Sequence, residues 1–480
     1  MKKWKLFLTV CAQLCFVSFS FSQDKWDLRK CVEYALTNNI SVKQADVQAR
    51  ISQLSLNQSR LTQIPTLGFD GSLGLNAGRT QNPFDFSVSN ESNISGSFSL
   101  SSSVTLFNWF RIRNTIAANR LDAEASKTNI DKVKNDISLN VAAGYLQALL
   151  NLEQINTSQL QVKLTLAQLE NTRKLVAAGS VPELNALELE AQLARDSATL
   201  VTAQAAAATS HLQLKALLNL DAAAPFEIAA PPVELIPVEP LSELQPDAVF
   251  NLAKVNMPLQ RVNQLRVEAS NKTVAAYRGA MMPTLSAYGR LGTAYNNKLQ
   301  EVYGRSPYAG VDSSAFVKIA NQNYKVYAPF VGVNNLVRTP GFFNQMDKSF
   351  GQSIGLSLNI PIFNQGQLRT QYNRSKLDKR NVELQQELDN QTLKQDIYKA
   401  YTEATASFQK YAAGIKSVET SQKAFDFATK RYNIGLLNTI DLLTNQNNLF
   451  KAKIDKLTAQ YDYVFKLKVL EFYKGQGIKL

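Results

Sequence analysis

The residues that could do chemistry are sparse and scattered. The chain has one histidine, His211, and three cysteines, Cys11, Cys15 and Cys31. No nucleophile elbow, phosphate-binding glycine loop or zinc-type spacing accompanies them. An enzyme gathers acid, base and nucleophile groups in a pocket. Nothing here is gathered, so the expectation is a non-enzyme with no cofactor and no metal. His211 reads as a packing or solvated side chain. Five methionines and one histidine form no visible soft-ligand set for copper or silver.

The spacing does offer another chemistry, that of a wetted wall. Asp70, Ser72 and Asn76, with Gly68 and Gly74, alternate with Leu67, Phe69, Leu73 and Leu75. Ser97, Ser99, Ser101, Ser103 and Thr105 alternate with Phe98, Leu100, Val104 and Leu106. Gly355, Ser357 and Asn359 alternate with Ile354, Leu356, Leu358 and Ile360, and a weaker segment runs from Leu285 to Tyr295. A period of two gives a strand one apolar and one polar face. A soluble sandwich shares that period. Polar faces made of Gly, Ser, Asn and Thr suit an aqueous lumen, and Phe107, Trp109, Phe110 and Phe363 gather at strand ends, as aromatic girdles do. Four strands cannot close a barrel, which needs about eight. Either the sheet is small and soluble, or several chains share one barrel; three chains would supply twelve strands.

Those strands must be held by long helices. Between Arg113 and Ala178 the only Pro or Gly is Gly144, and Ile130, Val133, Ile137, Val141, Tyr145, Leu149 and Leu152 recur three or four apart. Residues 368–433 behave alike. At 1.5 Å per residue such a helix spans roughly 100 Å, far beyond a globular helix. Each ends at a turn: Gly179 to Pro182 in one, Gly435 in the other. Gly permits a left-handed C-cap, and Pro182 can open the next helix.

The chain is a duplication. Pro65-Thr66-Leu67, Gly71, Leu73 and Gly74 recur 218 positions on as Pro283-Thr284-Leu285, Gly289, Leu291 and Gly292. Phe107-Asn108 and Arg113 recur 256 positions on as Phe363-Asn364 and Arg369, and Gly179 recurs as Gly435 at the same offset. Asn108 to Gly179 and Asn364 to Gly435 are thus both 71 residues, the mark of a rigid element of fixed length. The offsets differ by 38, so the second copy carries about that many extra residues between its strands. The expected layout is a leader at 1–22 and a first repeat at 23–219: helix, strand hairpin 66–107, long helix 110–178, returning helix 182–219. An irregular Pro-rich connector follows at 220–245. The second repeat, 246–480, has strand hairpin 284–362, long helix 366–433 and returning helix 439–475.

Lys2, Lys3 and Lys5 precede the apolar run Leu6–Phe21, with Ser20 and Ser22 before a mature start near Gln23, a secretory leader pattern. No later stretch approaches the roughly 20 apolar residues of a membrane helix. Only Cys31 then remains, so no internal disulfide is possible; it reads as a small hydrophobe. The net charge of +13 is spread along helices without an arginine-rich run, which argues against nucleic acid.

With these features in place, the chain resembles the TolC family of outer-membrane efflux proteins over nearly all its mature length. The carriers are Trp26-Asp27-Leu28 through Ala35-Leu36 and Asn38-Asn39, the two Pro-Thr-Leu segments, Pro361-Ile362-Phe363-Asn364-Gln365-Gly366, and the turn Tyr432 to Leu443. No single motif is decisive; their order and spacing are.

The resemblance implies an α+β membrane protein. It would be a homotrimer whose chains each give four strands to a 12-stranded outer-membrane β-barrel, continued by a long α-helical periplasmic barrel. A belt would form from residues 23–40, 220–257 and the C-terminus. The implied function is a passive exit duct serving an inner-membrane pump and a periplasmic adaptor. A duct for type I protein secretion is the near alternative, and a secreted coiled-coil scaffold or adhesin the distant one.

The lumen would be lined by Asp70, Ser72, Asn76, Ser99, Ser101, Ser103, Ser357 and Asn359. The resemblance also places a periplasmic gate just past the second tip. Asp441 matches its first acid, whereas Thr444, Leu437 and Asn185 depart from the charged pattern, leaving one ring of carboxylates that would repel one another. An acid favoured at a helix start by the dipole explains Asp441 equally well. Residues 296–349 would form an outer loop whose Tyr303, Tyr308, Phe330, Phe342 and Phe343 either close over the barrel mouth, bind a surface partner, or simply vary.

Overall fold

The computed structural model describes residues 25–81, 86–229 and 239–476. The expected leader and part of the Pro-rich connector lie outside them. In chain order the elements are α1 (Leu28–Asn38), α2 (Ile40–Leu61), β1 (Thr66–Gln81), β2 (Val88–Phe107), α3 (Arg111–Ala177), α4 (Glu183–Leu218), α5 (Pro246–Asn256), α6 (Pro258–Ala280), β3 (Thr284–Asn296), β4 (Glu301–Asp312), β5 (Phe316–Ile319), β6 (Gln322–Lys325), β7 (Ala328–Arg338), α7 (Phe342–Lys348), β8 (Gly351–Asn359), α8 (Gln367–Asn433) and α9 (Thr439–Glu471). No described helix is long and apolar enough to cross a membrane. Two compact units result. One draws on residues up to Leu56, Ala118–Asn271 and Leu377 onward, the other on Asn57–Ala117 and Lys272–Lys376.

The first unit is helical, and it buries the two repeats equivalently. One core gathers Cys31, Ala35, Ile137, Val141, Ala148, Leu214 and Ile228. A second gathers Val249, Ala253, Leu393, Ile397, Ala404 and Leu470. Cys31 occupies the place of Val249, and Val141 that of Ile397, at the offsets read from the sequence. Burial pushes the Cys31 thiol up to about 12, so it serves as a hydrophobe. His211 packs edge-on to Phe226, and burial, then Lys215, lowers its pKa. The Tyr145 hydroxyl donates to the Ala229 carbonyl at 2.6 Å, and Trp26 bridges Ile228, which ties the start of the connector to the helices.

Two helices of this layout, α2 and α6, exceed the expectation, which assigned no element to 41–61 or 258–280. Each follows an abrupt break. Asn39 ends α1, accepts from the Ser41 amide and donates to the Leu217 carbonyl, and Met257 ends α5 just before Pro258.

The second unit holds an antiparallel sheet ordered β1-β2-β3-β8. The pairing of β2 with β3 fuses the hairpins of both repeats into one sheet. β8 stops at Asn359 rather than 362 because Pro361 has no N–H for a ladder. The long insertion expected as an outer loop carries strands and a short helix of its own. β4 pairs with β7 and encloses the β5–β6 hairpin, turned by Ala320-Asn321, both at positive φ. In this ribbon Tyr308 lies over Gly332 and Phe330 over Gly310, where a Cβ would clash with the rings.

Candidate functional site: the polar sheet face and the helix tips

Register decides what each sheet face offers. Asp70 pairs with Ser99, Ser72 with Ser97, and Asn76 with Asn93. Ser99 pairs with Gly292, Ser101 with Arg290 and Ser103 with Tyr288. Ser286 pairs with Ser357 and Thr284 with Asn359. All eight residues expected to line a lumen therefore share one face, since partners across a ladder point the same way. Hydroxyls and amides run across it: Thr66 with Ser103 at 3.1 Å, Ser72 with Ser97 at 2.8 Å, and Asn76 donating to Ser95 at 2.8 Å. A hollow of about 500 Å³ is lined by Asp70, Ser72, Ser97, Ser99, Ser101 and Arg290.

Arg290 and Tyr288 are polar-face residues that the sequence reading passed over, because the third segment alternates weakly. The repeat offset could have found them: 218 positions separate Arg290 from Ser72 and Tyr288 from Asp70. The Tyr288 ring needs Gly355 opposite, since a Cβ there would lie 2.7 Å from its hydroxyl.

The opposite face is apolar and open. Leu67, Phe69, Leu73 and Leu75 are 70–73 % exposed and Ile354 is 91 % exposed. Leu100 pairs with Leu291 and Phe69 with Leu100, so the apolar rows are continuous across strands. A continuous apolar face of this kind marks an interface with lipid or protein. β1 and β8 also leave their outer backbone groups unpaired within the sheet, as edge strands do.

At the far ends of the long helices, both tips close by the same Schellman turn. Gly179 (φ 70°) donates to Val176 and Ser180 to Leu175; Gly435 (φ 76°) donates to Tyr432 and Leu436 to Arg431. Beyond the glycines they diverge. Pro182 precedes α4 with no side-chain cap. Asn438 caps α9 by accepting from the Asp441 amide at 2.7 Å. Asp441 is exposed in the first turn of α9, where the helix dipole favours an acid. Thr444 is exposed, and its hydroxyl donates to the Ile440 carbonyl of its own helix. Leu437 packs partly buried against Phe425, Tyr432 and Leu442, and Asn185 is half-buried at the first tip.

Deeper along the helices lies a polar cluster that sequence reasoning missed. Asp196 on α4 accepts from Thr165 (2.6 Å), Gln161 (3.4 Å) and Gln192 (2.7 Å). Gln446 on α9 donates to Thr165 at 2.7 Å. These side chains are buried, and no cation pairs with Asp196 among the described residues. The only available signal is Asp196 standing in an otherwise Ala- and Leu-rich stripe.

The family model for outer membrane efflux proteins matches residues 31–220 and 249–476. The outer membrane efflux protein BepC of Brucella suis is 23 % identical over 361 residues, covering 75 % of this chain and 67 % of that one. The outer membrane protein TolC of Escherichia coli is 20 % identical over 467 residues, covering 96 % and 84 %. The solved structure of CusC superposes with a TM-score of 0.74 at 16 % identity, covering 93 % of this chain and 91 % of that one. The chain belongs to the outer membrane efflux protein family and is an outer-membrane export channel.

Proposed function

We propose that three copies close their sheets into one twelve-stranded barrel, the β8 edge of each pairing antiparallel with the β1 edge of the next. The amphipathic sheet with two open edges carries this reading. Four strands satisfy neither the edges nor the curvature of a membrane barrel, whereas three copies leave no edge in the lipid. The apolar face then meets lipid, and Asp70, Ser72, Asn76, Ser99, Ser101, Ser103, Ser357 and Asn359, together with Arg290, wet the lumen. The leader at 1–22 directs export, and the helical hairpins reach into the periplasm.

An adaptor and an inner-membrane pump dock near the tips at Gly179, Pro182 and Gly435 and supply energy and cargo choice. The gate is a single ring of Asp441, with Thr444, Leu437 and Asn185 contributing no charge. A type I secretion duct would use the same pipe with a different pump. Purified protein should run as a heat-modifiable trimer and form channels in planar bilayers, and Asp441→Ala should change their conductance and its dependence on the cation. A soluble monomer would sink the duct; unchanged conductance in Asp441→Ala would remove the gate assignment alone.

A further inference from the structure

The loop helix α7 lies on the apolar face of the sheet, not over the polar one. Phe342 packs at a tilt against Tyr295 (5.0 Å between centroids) and edge-on to Phe98 (6.3 Å). Tyr295 pairs with Gly96 and Phe98 with Thr293, so these residues belong to the apolar set. The dock is specified by polar contacts. Thr293 donates to the Met346 carbonyl at 2.6 Å, the Asn296 amide to Gln345 at 2.9 Å, and Ser349 to the Ala294 carbonyl at 2.9 Å. Gln345 is 0 % exposed and donates in turn to the Pro340 carbonyl at 2.8 Å. A buried amide with donor and acceptor both used fixes one orientation of the helix.

That orientation leaves rings outside. Phe343 is 83 % exposed and Phe350 56 %, and Phe343 meets the Phe342 ring edge-on at 5.4 Å. Charge sits beside them. Glu301 bonds both Lys348 and Arg338, and these two cations hold its carboxyl below the usual range. The Arg338 guanidinium also lies over the Tyr303 ring at 5.5 Å. Exposed rings continuous with an apolar face, next to cations and an aromatic with a polar tip, have the composition of a membrane–water boundary.

We infer that α7 is an interfacial anchor that sets Phe343 and Phe350 into the outer leaflet beside the barrel. This rests on the barrel reading above. The occupant is lipid rather than a protein because the rings extend the face already given over to lipid, at the end of β3 away from its junction with α6. A lid over the lumen would require docking on the polar face, which α7 does not touch.

The test uses the trimer of the exported chain, with the leader and its Cys11 and Cys15 removed, in phosphatidylcholine vesicles, labelled with the fluorophore NBD at one introduced cysteine. Phe343→Cys probes the anchor, Leu73→Cys the apolar strand face, and Lys163→Cys an exposed site on α3. Cys31 is fully buried and its thiol is pushed up to about 12, so it stays unlabelled. Nitroxide lipids bearing the spin near the headgroup should quench position 343 by about twofold or more relative to 163, with a blue-shifted emission. Position 343 behaving like 163 while 73 is quenched overturns the anchor and leaves the barrel intact. If 73 is not quenched either, the barrel reading itself fails.

Discussion

The returning helices α4 and α9 occupy equivalent places in the two repeats, yet they bury different chemistry. At the 256-residue offset Asp196 of α4 corresponds to Ala452 of α9, and both are buried. Thr165 corresponds to Ser421 and Gln192 to Asn448. The carboxylate in the first repeat is held by three side-chain donors, while the second repeat fills the site with a methyl group. Burying an ion costs more than packing a methyl unless every acceptor is used. The polar layer therefore adds selectivity rather than stability. Any axial slip of α4 against α3, or of α9 against α3, would strand the Thr165 hydroxyl or the Gln446 amide. The first repeat is keyed by polarity, and the second by shape.

Changing Asp196 to the residue of its counterpart tests this most severely. Asp196→Ala should cost about 2–4 kcal/mol, because the Thr165 and Gln192 donors lose their acceptor in the interior. Asp196→Asn keeps one acceptor and should cost roughly half as much. The reciprocal Ala452→Asp, with no donor set prepared for it, should cost at least as much as Asp196→Ala. Thermal dissociation midpoints of the detergent-solubilised protein measure all three. If Ala452→Asp proved harmless, the two repeats would not differ in the way their contacts indicate.

The strand-to-helix joints give a second contrast, in which the backbone is shared and the side chains differ. Arg111 donates to the Asn108 carbonyl and Gln367 to that of Asn364, and both central residues of each turn have positive φ. That is the pattern of a type I′ turn, which favours Gly and Asn. The second joint uses Gln365-Gly366. The first uses Trp109-Phe110, at φ 50° and 62°, where bulky residues cost about 1–2 kcal/mol each. Their rings pack on Phe107 at 5.6 and 5.9 Å, which offsets part of that strain. Gly279 of α6 also lets the turn come close, since a Cβ there would lie 2.9 Å from the Trp109 carbonyl oxygen. Gly366→Ala has open space around it, so its loss should be the strain alone, about 1 kcal/mol. Phe110→Gly should change stability less, because relief of strain and loss of ring contact oppose one another. A larger loss for Phe110→Gly than for Gly366→Ala would mean that the rings dominate the joint.

These contrasts also explain what was legible in the sequence. The strand faces were readable because alternation survives in β1, β2 and β8, and the tips because Gly179 and Gly435 must adopt positive φ. Arg290 was hidden by the weak pattern of β3, although the repeat offset points to it. The Trp109-Phe110 turn gave no glycine signal. The α7 dock depends on Gln345 meeting β3 backbone across roughly fifty residues of chain, a separation no local pattern encodes. Helices α2 and α6 escaped because a break at Asn39 or Met257 looks like an end rather than a pause.

The smallest expected effect lies at the tips, where the shared Schellman turn is followed by unlike starts. Asn438 satisfies one orphan amide at the head of α9, that of Asp441, so Asn438→Ala should destabilise that hairpin by about 1 kcal/mol. Pro182 provides no side-chain acceptor, so Pro182→Ala should shift stability by only about 0.5 kcal/mol, through backbone freedom in the unfolded chain. Hydrogen exchange at the Asp441 amide, compared with the Asn185 amide at the equivalent place, reads the difference directly. Asn438→Ala should speed exchange at Asp441, and Pro182→Ala should leave Asn185 nearly unchanged, since its amide bonds to the Pro182 carbonyl rather than to a side chain. Equal acceleration at both amides would show that the tips are capped by their turns alone, and Asp441 would then owe its position to the helix dipole and not to the Asn438 cap.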